Sequence, residues 1–200
     1  MVKQEALIRQ LSKYISPKRV AHSLRVADSA VALAKQHHAN SDACLIAGTL
    51  HDIAKRQTPS ELEQFGISNT EPDVWETHPA IWHALVGPAM IQALFQINDA
   101  RVDEAVRYHT TGYHSLNTEA KIIFVADFIE PQRDHPGREL VASMAMANLD
   151  QAVAAVALYS IQRLTKKNVD IHPYTSGCWN AFSDQLTKKQ TDQLMEIIAQ

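Results

Sequence analysis

Helix start and stop signals recur along the whole of this 200-residue chain, whereas long alternating polar and apolar runs bounded by hairpin turns are missing. An all-α fold is the expectation. A first helix is expected over about residues 3–15, and Ser16-Pro17 opens a second, because a Ser hydroxyl can accept an orphan amide hydrogen and Pro suits the first helical position. Ser41 starts a helix that carries Leu45, Ala47, Leu50 and, near its end, His51-Asp52. Thr58-Pro59-Ser60-Glu61 is a capping-box sequence for a short helix that Gly66 ends. Residues 69–78 are polar and contain Pro72, which predicts mostly loop before a helix over residues 79–95. Asn98-Asp99 caps the next helix, in which Val102, Ala105, Val106 and His109 share one face. The apolar run over residues 120–129 holds one acid, Asp127, and stops at Glu130-Pro131. Further helices are expected over about residues 150–166, 174–186 and 189–199. With no repeat or linker in view, one domain over residues 1–200 is the simplest organisation at this length.

Charge narrows the function classes. Lys and Arg number 19 against 22 Asp and Glu, an acidic excess that argues against a nucleic acid polymer or an anionic membrane as partner. An anionic ligand must find a local positive site. No apolar signal segment follows Met1-Val2-Lys3-Gln4-Glu5, and no run approaches the roughly 20 residues of a membrane span, so a cytoplasmic protein is expected. The two cysteines, Cys44 and Cys178, have neither the spacing of a disulfide framework nor a neighbouring cation to activate a thiol, and are expected to be packing residues.

Ten histidines in 200 residues is a high count, and several stand on inward helix faces. Helical bundles build metal sites from inward imidazoles and carboxylates, each helix offering one or two ligands in fixed geometry. His22, His51-Asp52, His83, His109 and Asp127 supply four imidazoles and two carboxylates on five helices, enough for two metal ions to share. Such mixed ligation suits iron or manganese better than magnesium. Each His alone is more often a hydrogen-bonded core residue than a ligand. His78 lies five residues before His83 and competes with it, while His37-His38 closes a helix, where surface placement is expected. Trp75, Trp82 and Trp179 are expected to serve packing.

The order His22, His51-Asp52, Asp127 resembles the HD superfamily, whose minimal pattern is a His, a His-Asp pair and a distant Asp. More narrowly the chain resembles the YqeK family of symmetrical bis(5′-nucleosyl)-tetraphosphatases. The resemblance is carried by Lys18-Arg19-Val20-Ala21-His22-Ser23-Leu24, Ala47-Gly48-Thr49-Leu50-His51-Asp52-Ile53-Ala54-Lys55, Ala105-Val106-Arg107-Tyr108-His109-Thr110-Thr111-Gly112 and Ala126-Asp127-Phe128-Ile129-Glu130-Pro131-Gln132-Arg133. It extends from about residue 18 to 180 and implies a single HD-domain helical bundle. The chain departs from the family pattern over residues 113–117 and at Asp134-His135-Pro136, which replaces a more apolar stretch.

What the resemblance implies is a metal-dependent phosphohydrolase that cleaves diadenosine tetraphosphate into two ADP by attack of a metal-bridging hydroxide. Two ions are implied, iron favoured and manganese the alternative, about 3.5 to 4 Å apart. His22, His51 and Asp127 would hold one, His83 and His109 the other, with Asp52 bridging. Lys55 and Arg133 are the candidates for stabilising transferring phosphate, and Arg107, Thr110, Thr111, Gly112 and His114 for contacting substrate. The family pattern favours His83 over His78. The partner is a dinucleoside polyphosphate, with a homodimer left open. Another HD-type nucleotidase, a cyclic-dinucleotide phosphodiesterase and a non-catalytic metal-stabilised regulatory module are the competing readings.

Overall fold

The computed structural model describes residues 4–68 and 72–199, and among these every regular element is helical. The helices are α1 (Gln4–Leu11), α2 (Pro17–Gln36), α3 (Ser41–Leu50), α4 (Pro59–Glu63), α5 (Pro72–Thr77) and α6 (Pro79–Phe95). They continue as α7 (Ala100–Tyr108), α8 (Thr118–Ile129), α9 (Arg138–Ala147), α10 (Leu149–Lys166), α11 (Pro173–Phe182) and α12 (Lys188–Ala199), with a 3₁₀ turn at Ser183–Gln185. None of the described helices is long and apolar enough to cross a membrane.

Side-chain caps fix many of the starts. Asn40, Asp99, Asn117 and Asn148 each accept a first-turn amide hydrogen, and Thr58 with Glu61 completes the capping box that the sequence signals. Ser16 makes no such bond; Pro17 at the first position starts α2 without it.

The centre of the fold is α8, apolar on nearly every face, which packs against α2, α7, α9 and α10. α3 lies between α2, α7 and α8. A Cβ built on Gly48 of α3 would stand 2.7 Å from Ala27 Cα of α2, so only glycine permits this helix crossing. That crossing sets the end of α3, and with it His51, close to His22. Cys44 and Cys178 are fully buried, and burial pushes both thiols up to about 12, as packing residues require.

Four expectations need correction. The first helix, expected to about residue 15, ends at Leu11. Residues 72–77 form α5 rather than loop, while residues 69–71 of that stretch lie outside the described residues, as do residues 1–3 at the start of the first helix. α9 was not anticipated, although Val141, Met144 and Ala145 give it a buried stripe at helical spacing. The helix expected over residues 174–186 ends at Phe182 and tightens into the 3₁₀ turn.

Candidate metal centre

Five helices deliver the six candidate ligands to one point. His22 comes from the second turn of α2 and His83 from the second turn of α6, while Asp127 comes from the last turns of α8. His51 and His109 are the residues at which α3 and α7 end, and Asp52 follows His51. Their donor atoms form two groups that share Asp52, namely His22, His51 and Asp52, and Asp52, His83 and His109, each with all atoms within 4.8 Å of one another. Asp127 Oδ1 stands 3.0 Å from His22 Nε2 and 3.9 Å from His51 Nε2. Asp52 Oδ1 stands 3.2 Å from His83 Nε2 and 3.7 Å from His109 Nε2, and those two nitrogens are 3.2 Å apart.

His51 and His109 are each held in one tautomer. A carbonyl can only accept, so Nδ1 of His51 donates to the Gly48 carbonyl at 2.8 Å and Nδ1 of His109 to the Val106 carbonyl at 2.7 Å. Both Nε2 lone pairs therefore face the centre, and His51 Nε2 is buried with no hydrogen-bond partner. His22 is held from outside by Glu130, whose Oε1 lies 3.3 Å from its Nδ1. Glu130 is itself buried and held by Arg25 at 2.7 Å and by the Gln132 amide at 3.0 Å.

Burial pushes His51 down to about 4 and His83 down to about 3, partly offset by Asp52, so both rings are neutral at pH 7. Burial alone would raise Asp52 and Asp127. It is outweighed by the groups clustered on the two acids, the Lys55 ammonium among those on Asp52 and the Arg133 guanidinium among those on Asp127, and both acids stay far below the usual carboxylate range. Neutral imidazoles and ionised carboxylates with inward lone pairs are the donor set that first-row divalent ions accept.

Three cations sit on the two acids. Arg19 approaches Asp52 Oδ2 at 2.6 Å, Lys55 lies 3.6 Å from Asp52 Oδ1 and 2.9 Å from His83 Nε2, and Arg133 meets Asp127 Oδ1 at 2.6 Å. Arg19 was not singled out from the sequence, where it stands only within the motif around His22.

A cavity of about 460 Å³ opens beside the centre, its inner wall including His109, Thr110, Thr111, Asp127 and Arg133. Its outer wall carries Phe128, His135 and Tyr159. His135 stacks on Phe128 at 4.9 Å and 29°, and Tyr159 meets Phe128 edge-on at 4.9 Å. His78 Nε2 and Thr110 Oγ1, on residues of the same cavity wall, are buried without hydrogen-bond partners among the described residues. A second cleft, also about 460 Å³, is lined by Lys18, Arg19, His22, Arg25 and Arg133 among others, and a smaller one holds Lys55, Trp75, Trp82 and His83.

Other candidates are placed elsewhere. Arg107 and His114 line none of these three spaces: Arg107 is the charge partner of Asp103 one turn back, and exposed His114 rests on the Tyr113 ring at 4.1 Å. Gly112 also stays outside the cavity. It takes φ +64° and abuts Cys178, whose Sγ a Cβ there would meet at 2.5 Å, so packing accounts for it. His78 begins α6 on the cavity wall, outside both groups of donors. His37 is half-buried rather than a surface residue, with Nε2 2.6 Å from the Ala145 carbonyl of α9. The stacking role of His135 escaped the sequence because its partners, Phe128 and Tyr159, are brought to it only by the fold.

Comparison with known proteins identifies the family. The HD domain family matches residues 19–132. The chain is 32% identical to the symmetrical bis(5′-nucleosyl)-tetraphosphatase of Bacillus subtilis, over 90% of this chain and 97% of that one. It is 31% identical to the protein of the same name from Staphylococcus aureus, over 88% and 92%. A solved HD superfamily hydrolase from Clostridium acetobutylicum superposes with a TM-score of 0.83 at 27% identity, covering 93% of this chain and all of the other. The chain belongs to the HD domain family and, within it, to the YqeK family.

Proposed function

We propose that the chain is a metal-dependent phosphohydrolase that cleaves diadenosine tetraphosphate symmetrically into two ADP. The observation that carries the reading is the pair of donor groups sharing Asp52, set beside a cavity with an aromatic wall. His22, His51 and Asp127 would hold one ion, His83 and His109 the other, and Asp52 both, with iron or manganese suited to the mixed donors. Bound there, the ions supply an activated water and the positive charge that phosphoryl transfer needs.

The chain's own residues do the rest. One nucleoside enters the cavity of about 460 Å³, a size in the usual range for small-molecule sites, with its base against Tyr159 and His135. The Thr110 hydroxyl and His78 Nε2, both lacking partners, offer it hydrogen bonds. Arg133 borders this cavity and the basic cleft alike, so its guanidinium can grip phosphate at the junction. Arg133, Lys55 and Arg19 compete with cations for Asp127 and Asp52. When those acids bind metal, the three become available to phosphate oxygens and to the charge that develops as the P–O bond breaks.

The reading is tested by chromatography of the products from diadenosine tetraphosphate. ADP alone is expected. Equal AMP and ATP would reject symmetrical cleavage, and turnover of mononucleotides only would make the chain a different HD nucleotidase.

A further inference from the structure

A substrate with two identical ends does not require two identical pockets, and this centre has unlike ones. The aromatic cavity and the basic cleft have the same volume, about 460 Å³, and share Arg133, but their chemistry is opposite. The first offers ring faces, two polar atoms without partners and the path to His109 and Asp127. The second has no Phe, Tyr or Trp in its lining; it gathers Lys18, Arg19, Arg25 and Arg133 with one acid in the lining, Glu130, which Arg25 engages at 2.7 Å, while Arg19 and Arg133 reach the candidate ligand acids Asp52 and Asp127. No acid stands in the first turn of α2 to offset Lys18 and Arg19. The cleft opens directly on His22, a candidate ligand. Four cations around a polar space at the edge of a phosphoryl-transfer centre suit a phosphate chain and give a nucleobase nothing to stack on.

We infer that the basic cleft is a polyphosphate subsite, and that the enzyme also hydrolyses adenosine 5′-tetraphosphate, whose far end is inorganic, to ADP and pyrophosphate. The inference rests on the function proposed above and adds that only one nucleoside is recognised. The nucleoside lies in the aromatic cavity, the central P–O–P linkage lies at the centre beside Arg133, and the last two phosphates lie among Lys18, Arg19 and Arg25. One water is consumed. Its oxygen bonds to a phosphorus atom of the central linkage, the bond from that phosphorus to the bridging oxygen breaks, and the bridging oxygen leaves on the other product. The proton left over passes to solvent, and no oxidant or further reactant is involved. In a dinucleoside tetraphosphate the second nucleoside extends from the cleft toward solvent.

The test uses the full chain loaded with Mn²⁺ and compares diadenosine tetraphosphate with adenosine 5′-tetraphosphate, products being identified by chromatography and ³¹P NMR. ADP and pyrophosphate in equal amounts are expected from the second substrate, with kcat/KM within about tenfold of the first, one lost contact at a charged group being worth about that factor. Lys18 is exposed, so Lys18→Glu should fold normally; it should raise KM for adenosine 5′-tetraphosphate about tenfold or more with kcat little changed. If diadenosine tetraphosphate is cleaved and adenosine 5′-tetraphosphate is not, a second nucleoside is required, as it would be if the Trp75 cleft read it, and the inference falls while the proposed function stands. Release of ATP and orthophosphate, or an unchanged KM in Lys18→Glu, also overturns the subsite. Turnover of adenosine 5′-tetraphosphate alone would support the subsite and reject the dinucleoside reading, and turnover of neither would reject both.

Discussion

Two of the imidazoles at the centre are oriented by carbonyls of their own helical turn, and a third by a carboxylate 108 residues away in the chain. The arrangement around His22 is a carboxylate holding the far nitrogen of a prospective ligand, which fixes its tautomer and ring orientation. Glu130→Gln should therefore weaken metal binding by about ten- to a hundredfold while the fold survives, read by titrating Mn²⁺ into metal-free protein. Unchanged affinity would show that His22 needs no such support. Lys55 and Arg133 contact the ligand acids but serve phosphate in this account, so Lys55→Ala and Arg133→Ala should keep their metal and lose turnover by roughly ten- to a thousandfold. Wild-type kinetics in either variant would remove that residue from the site. At this scale the sequence is legible where function is written locally. His51-Asp52 and His109-Thr110-Thr111 are contiguous, and Lys55 lies one turn from Asp52. Glu130 and Arg19 are not legible in that way, because their partners His22 and Asp52 are set by helix crossings.

The crossing that matters most among the elements is α2 on α3. Gly48→Ala puts a methyl 2.7 Å from the Ala27 Cα and 3.0 Å from its nitrogen, against backbone that cannot rotate away. The helices must separate, and about 1–3 kcal/mol of destabilisation is expected, measured as a lower melting temperature with weaker metal binding because His51 moves with α3. A higher melting temperature, the result for glycine in an exposed helix, would contradict this packing. The boundaries of α2, α4, α6 and α7 follow from Pro and cap residues that act locally. α5 and α9 follow from less visible causes. Pro72 marks the start of α5 rather than a break, and α9 begins after Gly137 in a positive-φ conformation with no side-chain cap.

For the molecule as a whole, a net charge of −3 is compatible with the proposed polyanionic substrate because Lys18, Arg19, Arg25, Lys55 and Arg133 stand around one centre. Recurring helix start and stop signals, with no long alternating runs, made the all-helical class readable, since these signals act locally whatever the order of packing. The convergence of six donors could be anticipated from motif order, whereas the three clefts around them depend on how α5, α6, α10 and the loop after α8 meet. The central claim is that two ions act together in the groups sharing Asp52, and metal content measured beside turnover during a Mn²⁺ titration tests it most directly. Activity should appear with the second equivalent per chain, and His83→Ala or His109→Ala should retain one equivalent and lose nearly all turnover. Full activity at one equivalent, or two equivalents with full activity in His83→Ala, would contradict the account.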